Sequence, residues 1–170
     1  MAIREIVTIP EPVLRRKAKP VTDYGPGLQT LVDDMVETMR QAPGVGLAAP
    51  QVGESLRLIV VEYPVDDAKE DSPKKLYVVA NPEIKNVSVE TEMGIEGCLS
   101  LPGLQGEVER ALELRVTGRT RRGQPVRIKA KGWLARIFQH EIDHLDGVVF
   151  TDRAVRVWKP TPDEPVLDNV

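Results

Sequence analysis

Two imidazoles stand four residues apart in His140-Glu141-Ile142-Asp143-His144, with a carboxylate directly after the first. Positions four apart lie one above the other on a helix, so both rings can reach one ion. This H-E-x-x-H spacing is the pattern of a metal site with a glutamate that moves protons. At ~100° per residue, Trp133 and Ile137 share the face of both histidines, with Leu134, Phe138, Glu141 and Leu145 beside them. Arg136, Gln139, Asp143 and Asp146 take the opposite side. Two histidines and a glutamate thus point into the apolar side of a core helix, a costly burial unless something satisfies them. A metal ion does so.

A catalytic metal needs a third protein ligand and an open position. The chain has two histidines in all, and Phe150 occupies the place where an extended motif would carry a third. The proline-rich C-terminal stretch offers no helix to supply a glutamate. Cys98, in Glu96-Gly97-Cys98-Leu99-Ser100, is the single cysteine. A lone cysteine is more often a small buried hydrophobe, but beside a two-histidine site it becomes the best candidate. Cys98, His140 and His144 with one water would form an open tetrahedral site that lowers the pKa of that water. Asp146 stays open as a fourth ligand, which would make the site structural. A cysteine hydrolase using Cys98 with a histidine base would leave the paired histidine spacing unexplained.

Gly44-Val45-Gly46-Leu47-Ala48-Ala49-Pro50-Gln51 is the remaining unusual segment. Its start matches G-x-G-x-x-A, but a dinucleotide site needs a strand before it and a helix after it. Here a helix precedes and Pro50 interrupts. Two readings remain: a tight loop, or a loop whose glycines admit substrate to the backbone while Gln51 presents an amide donor.

These groups need elements to hold them. Leu28, Leu31, Val32, Met35, Val36 and Met39 follow the three-four spacing of one buried helical face, begun near Pro26 and ended by Pro43-Gly44. Prolines 10, 12 and 20 leave room for a short helix near 13–17. Apolar runs at 58–61, 76–79 and 84–89 read as strands. Leu112, Leu114 and Val116 alternate with polar residues, and Gly123-Gln124 turns the chain into 126–131. The metal helix spans 133–146, with Gly147 closing it. Strands between two separated helices predict an α+β fold of mostly antiparallel sheets around a central metal-binding helix, in a single domain. Residues 1–157 would form it, and 158–170, rich in proline and acid, an extended or mobile tail.

The 170 residues carry 23 basic and 26 acidic side chains, a net charge of −3. That balance asks for neither nucleic acid nor membrane, and no stretch approaches the ~20 apolar residues of a membrane span. One cysteine makes no internal disulfide, and residues 1–10 lack the character of a signal or transit peptide, so a cytoplasmic protein is expected.

Taken together, the segments 44–51, 96–100 and 139–144 resemble the three signature motifs of the bacterial peptide deformylase family, in the right order and at fitting intervals. The likeness extends to about Phe150. It implies a metal-dependent hydrolase that removes the N-formyl group from the formylmethionine of new polypeptides and releases formate. By motif position it implies Cys98, His140 and His144 as ligands of Fe²⁺, with Zn²⁺, Ni²⁺ or Co²⁺ as alternatives, and Glu141 as the acid/base. It further implies that the Gln51 side chain and the Leu99 backbone N–H hold the oxyanion. Backbone groups of Val45, Gly46 and Gly97 would align the substrate, and Ile137 would wall the methionine pocket. Some members dock on the ribosome through a long basic C-terminal helix. Here residues 151–170 carry three cations, Arg153, Arg156 and Lys159, before an acidic, proline-broken end. Little ribosome binding through this tail is therefore expected.

Overall fold

Helix α1, Pro26–Gln41, forms where the sequence places it: Pro26 occupies its first turn, and Leu28, Leu31, Val32, Met35, Val36 and Met39 are all buried. The computed structural model describes residues 2–164. After α1 come β1 (Gly46–Ala48), β2 (Leu58–Pro64), β3 (Lys74–Lys85), β4 (Thr91–Cys98), β5 (Leu101–Ala111), β6 (Glu113–Arg119) and β7 (Pro125–Lys131). Helix α2 (Gly132–Leu145), the short α3 (Phe150–Arg153) and β8 (Arg156–Trp158) complete the order. Single 3-10 turns occupy Pro12–Arg15 and Ala49–Val52.

Two antiparallel sheets result. The first has the order β1-β2-β3-β6-β7 and the second β4-β5-β8. Strand β2 over Leu58–Val61, and β3 at Val79 and Ala80, are buried on both faces because α1 covers one and α2 the other. Leu58, Val60 and Ala80 pack with the α1 side chains, whereas Ile59, Val61 and Val79 pack with Ala135, Ile137, Phe138 and Ile142 of α2. That double burial explains why 58–61 reads as an unbroken apolar run. The second sheet closes over the other side of α2, with Val108 and Leu101 against Val149 and Phe150. The metal-motif helix is thus central, and the α+β expectation holds.

The structure corrects three details. Residues 84–89 do not form a separate strand. Ile84 continues β3, which absorbs a register shift between Ala80 and Glu83 and ends at a turn through Asn86. The long β4–β5 hairpin has no counterpart in the apolar pattern, because Glu96 and Arg110 occupy buried positions where aliphatic residues would have marked it. Finally, Trp158, expected to open the tail, pairs with Gln105 in β8. Residues 165–170 of the expected tail lie outside the described residues.

Helix α2 ends as its sequence requires. Gly147 has φ +76, and a Cβ there would also fall 2.6 Å from the Arg15 carbonyl oxygen, so only glycine meets both conditions. The Leu145 carbonyl accepts from Ala18 N at 2.8 Å and Arg57 Nη1 at 2.9 Å, which fixes the end of the helix that carries His144.

Candidate metal centre

Three separate segments converge on one buried spot. Helix α2 brings His140, Glu141 and His144, all with 2% exposure or less. The end of β4 brings Cys98 after a register shift at Gly97. Cys98 Sγ lies 3.3 Å from His144 Nε2, and the three ligand atoms of Cys98, His140 and His144 all lie within 4.8 Å of one another. Donors sharing a tetrahedral ion at ~2.0–2.3 Å bonds sit roughly 3.4–3.8 Å apart, so the spacing fits.

The polar bookkeeping points the same way. His140 Nε2 and both Glu141 carboxylate oxygens are buried without a protein partner. His140 Nδ1 meets Glu96 Oε1 at 2.8 Å, which makes Nδ1 the donor and leaves Nε2 turned to the centre. Burial alone would lower the His140 pKa, but the nearby Cys98 sulfur, the Glu96 bond and the Glu141 charge outweigh it and raise the ring to about 10. Burial, reinforced by the neighbouring His140 charge, drives His144 well below its ordinary value. One ring is thus drawn toward a positive charge while the other stays a neutral donor. The cysteine–histidine–histidine set suits a divalent transition metal.

Glu141 does not belong to that set. Burial raises its pKa to about 7, opposed by the His140 charge, which suits proton transfer near neutrality. Its carboxylate rests on Gly46, where an added Cβ would fall 2.5 Å from Oε2. Gly44 meets Leu99 in the same way, with Cδ1 3.1 Å from its Cβ position. Gln51 Oε1 accepts from Ala48 N at 3.0 Å, which orients Nε2 toward Ser100 Oγ at 3.2 Å and Cys98 Sγ at 3.5 Å. The 44–51 segment is therefore part of the centre, and its glycines make room for Glu141 and Leu99.

Val45 and Gly46 lead into β1, an outer strand of the five-stranded sheet, while Gly97 lies in β4, an outer strand of the three-stranded sheet. Ile137, fully buried one turn before Glu141, belongs to the apolar cluster on which Val45 packs. Asp146 is not gathered into the cluster. Its side chain is 47% exposed and pairs with Arg57 at 3.1 Å, so among the described residues the candidate ligand set is the three-residue one.

The helix side opposite the histidines is not a solvent face. Arg136 is 3% exposed and bonds Glu96 Oε2 at 2.7 Å. Gln139 bonds both backbone groups of Ala111, and Asp143 pairs with Arg110 and Arg153. Glu96 accepts two further bonds at 2.9 Å from Arg110 Nε and Nη2. Burial would raise its pKa, but Arg110 and His140 outweigh that and hold the carboxylate well below its usual range. Arg136 escaped the sequence reading because a charged residue off the apolar face of a helix wheel passes for a solvent contact, and Glu96 and Arg110 because charge is not expected at buried strand positions. The signal available was the position of Glu96, two residues before Cys98.

Comparison with known proteins agrees with this geometry. The family model described as polypeptide deformylase matches residues 3–159. The chain belongs to that family. It is 52% identical over 157 residues to a peptide deformylase of Symbiobacterium thermophilum, spanning 92% of this chain and 69% of that one. A peptide deformylase of Desulforudis audaxviator is 47% identical over 94% of this chain and 98% of its own. Among solved structures, the peptide deformylase of Thermotoga maritima superposes with a TM-score of 0.82 at 41% identity, covering 92% and 100% of the two chains. That of Ehrlichia chaffeensis in complex with actinonin gives 0.84 at 38%, covering 92% and 91%. The chain is thus a metal-dependent hydrolase, and no helix among its described residues is long and apolar enough to cross a membrane.

Proposed function

We propose that Cys98, His140 and His144 hold one divalent cation, Fe²⁺ in the native protein, and that the centre hydrolyses the formyl amide of peptides and nascent chains beginning with formylmethionine. The observation that carries this reading is the Glu141 carboxylate, whose two oxygens have no protein partner and which rests on Gly46 beside the ligand triad. Zn²⁺, Ni²⁺ or Co²⁺ could occupy the same donors.

When bound, the cation supplies Lewis acidity that brings the pKa of water toward neutrality and polarises the formyl oxygen. Glu141 takes a proton from the attacking water as its oxygen adds to the formyl carbon. The negative charge then developing on the formyl oxygen is met by Gln51 Nε2 and the Leu99 backbone N–H, each such donor contributing ~3 kcal/mol. Glu141 passes its proton to the amide nitrogen, the C–N bond breaks, and formate and a free methionyl amine leave. Backbone groups of Val45, Gly46 and Gly97 align the peptide as an added strand between the two outer strands. Ile137 walls the pocket for the methionine side chain.

With Trp158 paired in β8, residues 1–158 constitute the catalytic unit in this reading, and the tail beyond it adds little ribosome affinity. The protein works in the cytoplasm, with no membrane or direct nucleic-acid contact. Formate release from formyl-Met-Ala, measured on protein of known metal content, tests the function. Cleavage of unformylated Met-Ala-Ser at a comparable rate would instead support a metallopeptidase using the same H-E-x-x-H chemistry.

A further inference from the structure

An added Cβ on Gly94 in β4 would fall 2.6 Å from Arg136 Cζ and 2.8 Å from its Nε and Nη2. The guanidinium therefore lies directly against bare strand backbone, with its Cζ 5.3 Å from the centroid of the Trp133 ring. From this slot Nη2 donates to the Glu92 carbonyl at 2.7 Å, and Nη1 donates to the Val108 carbonyl at 2.8 Å and to Glu96 Oε2 at 2.7 Å. One side chain thus ties α2 to both strands of the β4–β5 hairpin. Helix α2 carries the two histidines and the hairpin carries Cys98, so the contact spans the two elements that must supply one ion.

Glu96 extends the tie to a ligand. Its carboxylate has no exposure and is shared among Arg136, Arg110 and His140 Nδ1. Arg110 makes a second crossing, to Asp143 at 2.8 Å, at the rim where Arg153 shares the same carboxylate. Arg136 makes the inner one, four residues before His140. A planar guanidinium can serve three acceptors in fixed directions, which a lysine ammonium on a flexible stem cannot reproduce.

We propose that Arg136 is a positioning residue for the metal centre: it locks the cysteine-bearing hairpin onto the histidine helix and fixes Glu96 against His140. Gly94 belongs to the same device, because a larger residue would push the guanidinium out of its slot. This inference rests on the metal reading above.

The test uses the full chain loaded with Co²⁺, whose absorption reports the cysteine–cobalt bond, and follows release of the ion to excess chelator. Outer partners of ligating histidines affect affinity ~10–100-fold. Arg136→Met and Gly94→Ala are each expected to release Co²⁺ at least tenfold faster and to weaken the cysteine–cobalt band. Arg136→Lys should not restore either property. Gly94→Ala should add nothing in an Arg136→Met background, because the group it displaces is gone. Val32→Ala, which opens the distant α1 core, should lower Tm and leave release at the wild-type rate. If Arg136→Met does not fold, Gly94→Ala alone decides, since it keeps every polar group. Wild-type release and an unchanged band in Gly94→Ala, or independent multiplying effects of the two substitutions, would overturn the inference and leave the metal reading intact. A wild-type chain that does not bind Co²⁺ would overturn both.

Discussion

The Glu141 carboxylate occupies space that exists because residue 46 is glycine: a Cβ at Gly46 would fall 2.5 Å from Oε2 and 2.9 Å from both Cδ and Cγ. The acid/base and the loop that faces it are therefore fitted to each other. Gly46→Ala is expected to displace Glu141 without touching the ligands. A misplacement of ~1 Å can cost ~10²-fold in rate, so kcat should fall by one to two orders of magnitude at unchanged metal content. Full activity in the alanine variant would show that Glu141 is not held by this contact.

Glu141→Gln is expected to keep fold and metal while cutting turnover ~10²–10⁴-fold, the usual contribution of a positioned acid/base. Burial raises the Glu141 pKa to about 7, so the group gives up its proton only as pH rises toward neutrality. In the wild type, kcat/KM should therefore climb through the acid side of the profile as the carboxylate ionises. The glutamine variant should lose that acid limb. A variant that retained most of its activity at full metal loading would remove Glu141 from its assigned role.

Much of this centre was legible because helical periodicity turns spacing into geometry: His140 and His144 had to share a face, and the face had to be buried. The apolar stripe of α1 and the run 58–61 were legible for the same reason. The β4–β5 hairpin was not. Its buried positions include Glu96 and Arg110, and Gly94 and Gly106 sit where Arg136 and Phe150 press against the strands. Charge and glycine both argue against a strand in local sequence, and their reason lies in partners on other elements, up to 44 positions away. Arg136 failed in the reverse sense. A wheel shows that it leaves the histidine face, but not that a second sheet covers the other side.

The N-terminal segment is stitched to α1 through Asp34, which accepts from Ala2 N at 2.8 Å and Arg4 Nε at 3.0 Å. The Ala2 bond, with Arg4 adding to it, lowers the Asp34 pKa from 3.8 against the opposing effect of burial. A carboxylate depressed in the folded state adds stability that is present above the unfolded value and lost as pH falls through the folded one. Asp34→Asn is expected to lower Tm by about 2–4 °C at pH 7, the shift that ~1 kcal/mol produces in a chain of this size. The gap from wild type should close as pH drops below about 3.8. A gap that stayed constant down to pH 2 would mean that the Asp34 charge contributes nothing.

Of the three cations after Phe150, Arg153 pairs with Asp143 and Arg156 stacks over Trp158, so neither stands ready for a polyanion. The residues beyond Lys159 add only acid. Deleting Thr161–Val170 should therefore leave formyl-peptide activity and ribosome co-sedimentation within about twofold of wild type, since phosphate binding scales with clustered Lys and Arg. A large, salt-sensitive loss of co-sedimentation would assign the tail a docking role.

Stripping the ion with a chelator is expected to abolish activity while leaving most of the secondary structure, because the five-stranded sheet, α1 and α2 pack through clusters that do not involve the ligands. Reloading should restore turnover with Fe²⁺, Co²⁺ or Ni²⁺ alike, since each accepts a thiolate and two imidazoles. The iron form should then decay in air, because both the ion and the Cys98 sulfur are oxidisable. The nickel form should outlast it, at matched metal content, in a time course of formate release. Cys98 is 2% exposed, so decay limited by the ion should slow under anaerobic conditions and with a peptide occupying the cleft. Equal activity and equal lifetime for the zinc and iron forms would count against iron as the native metal.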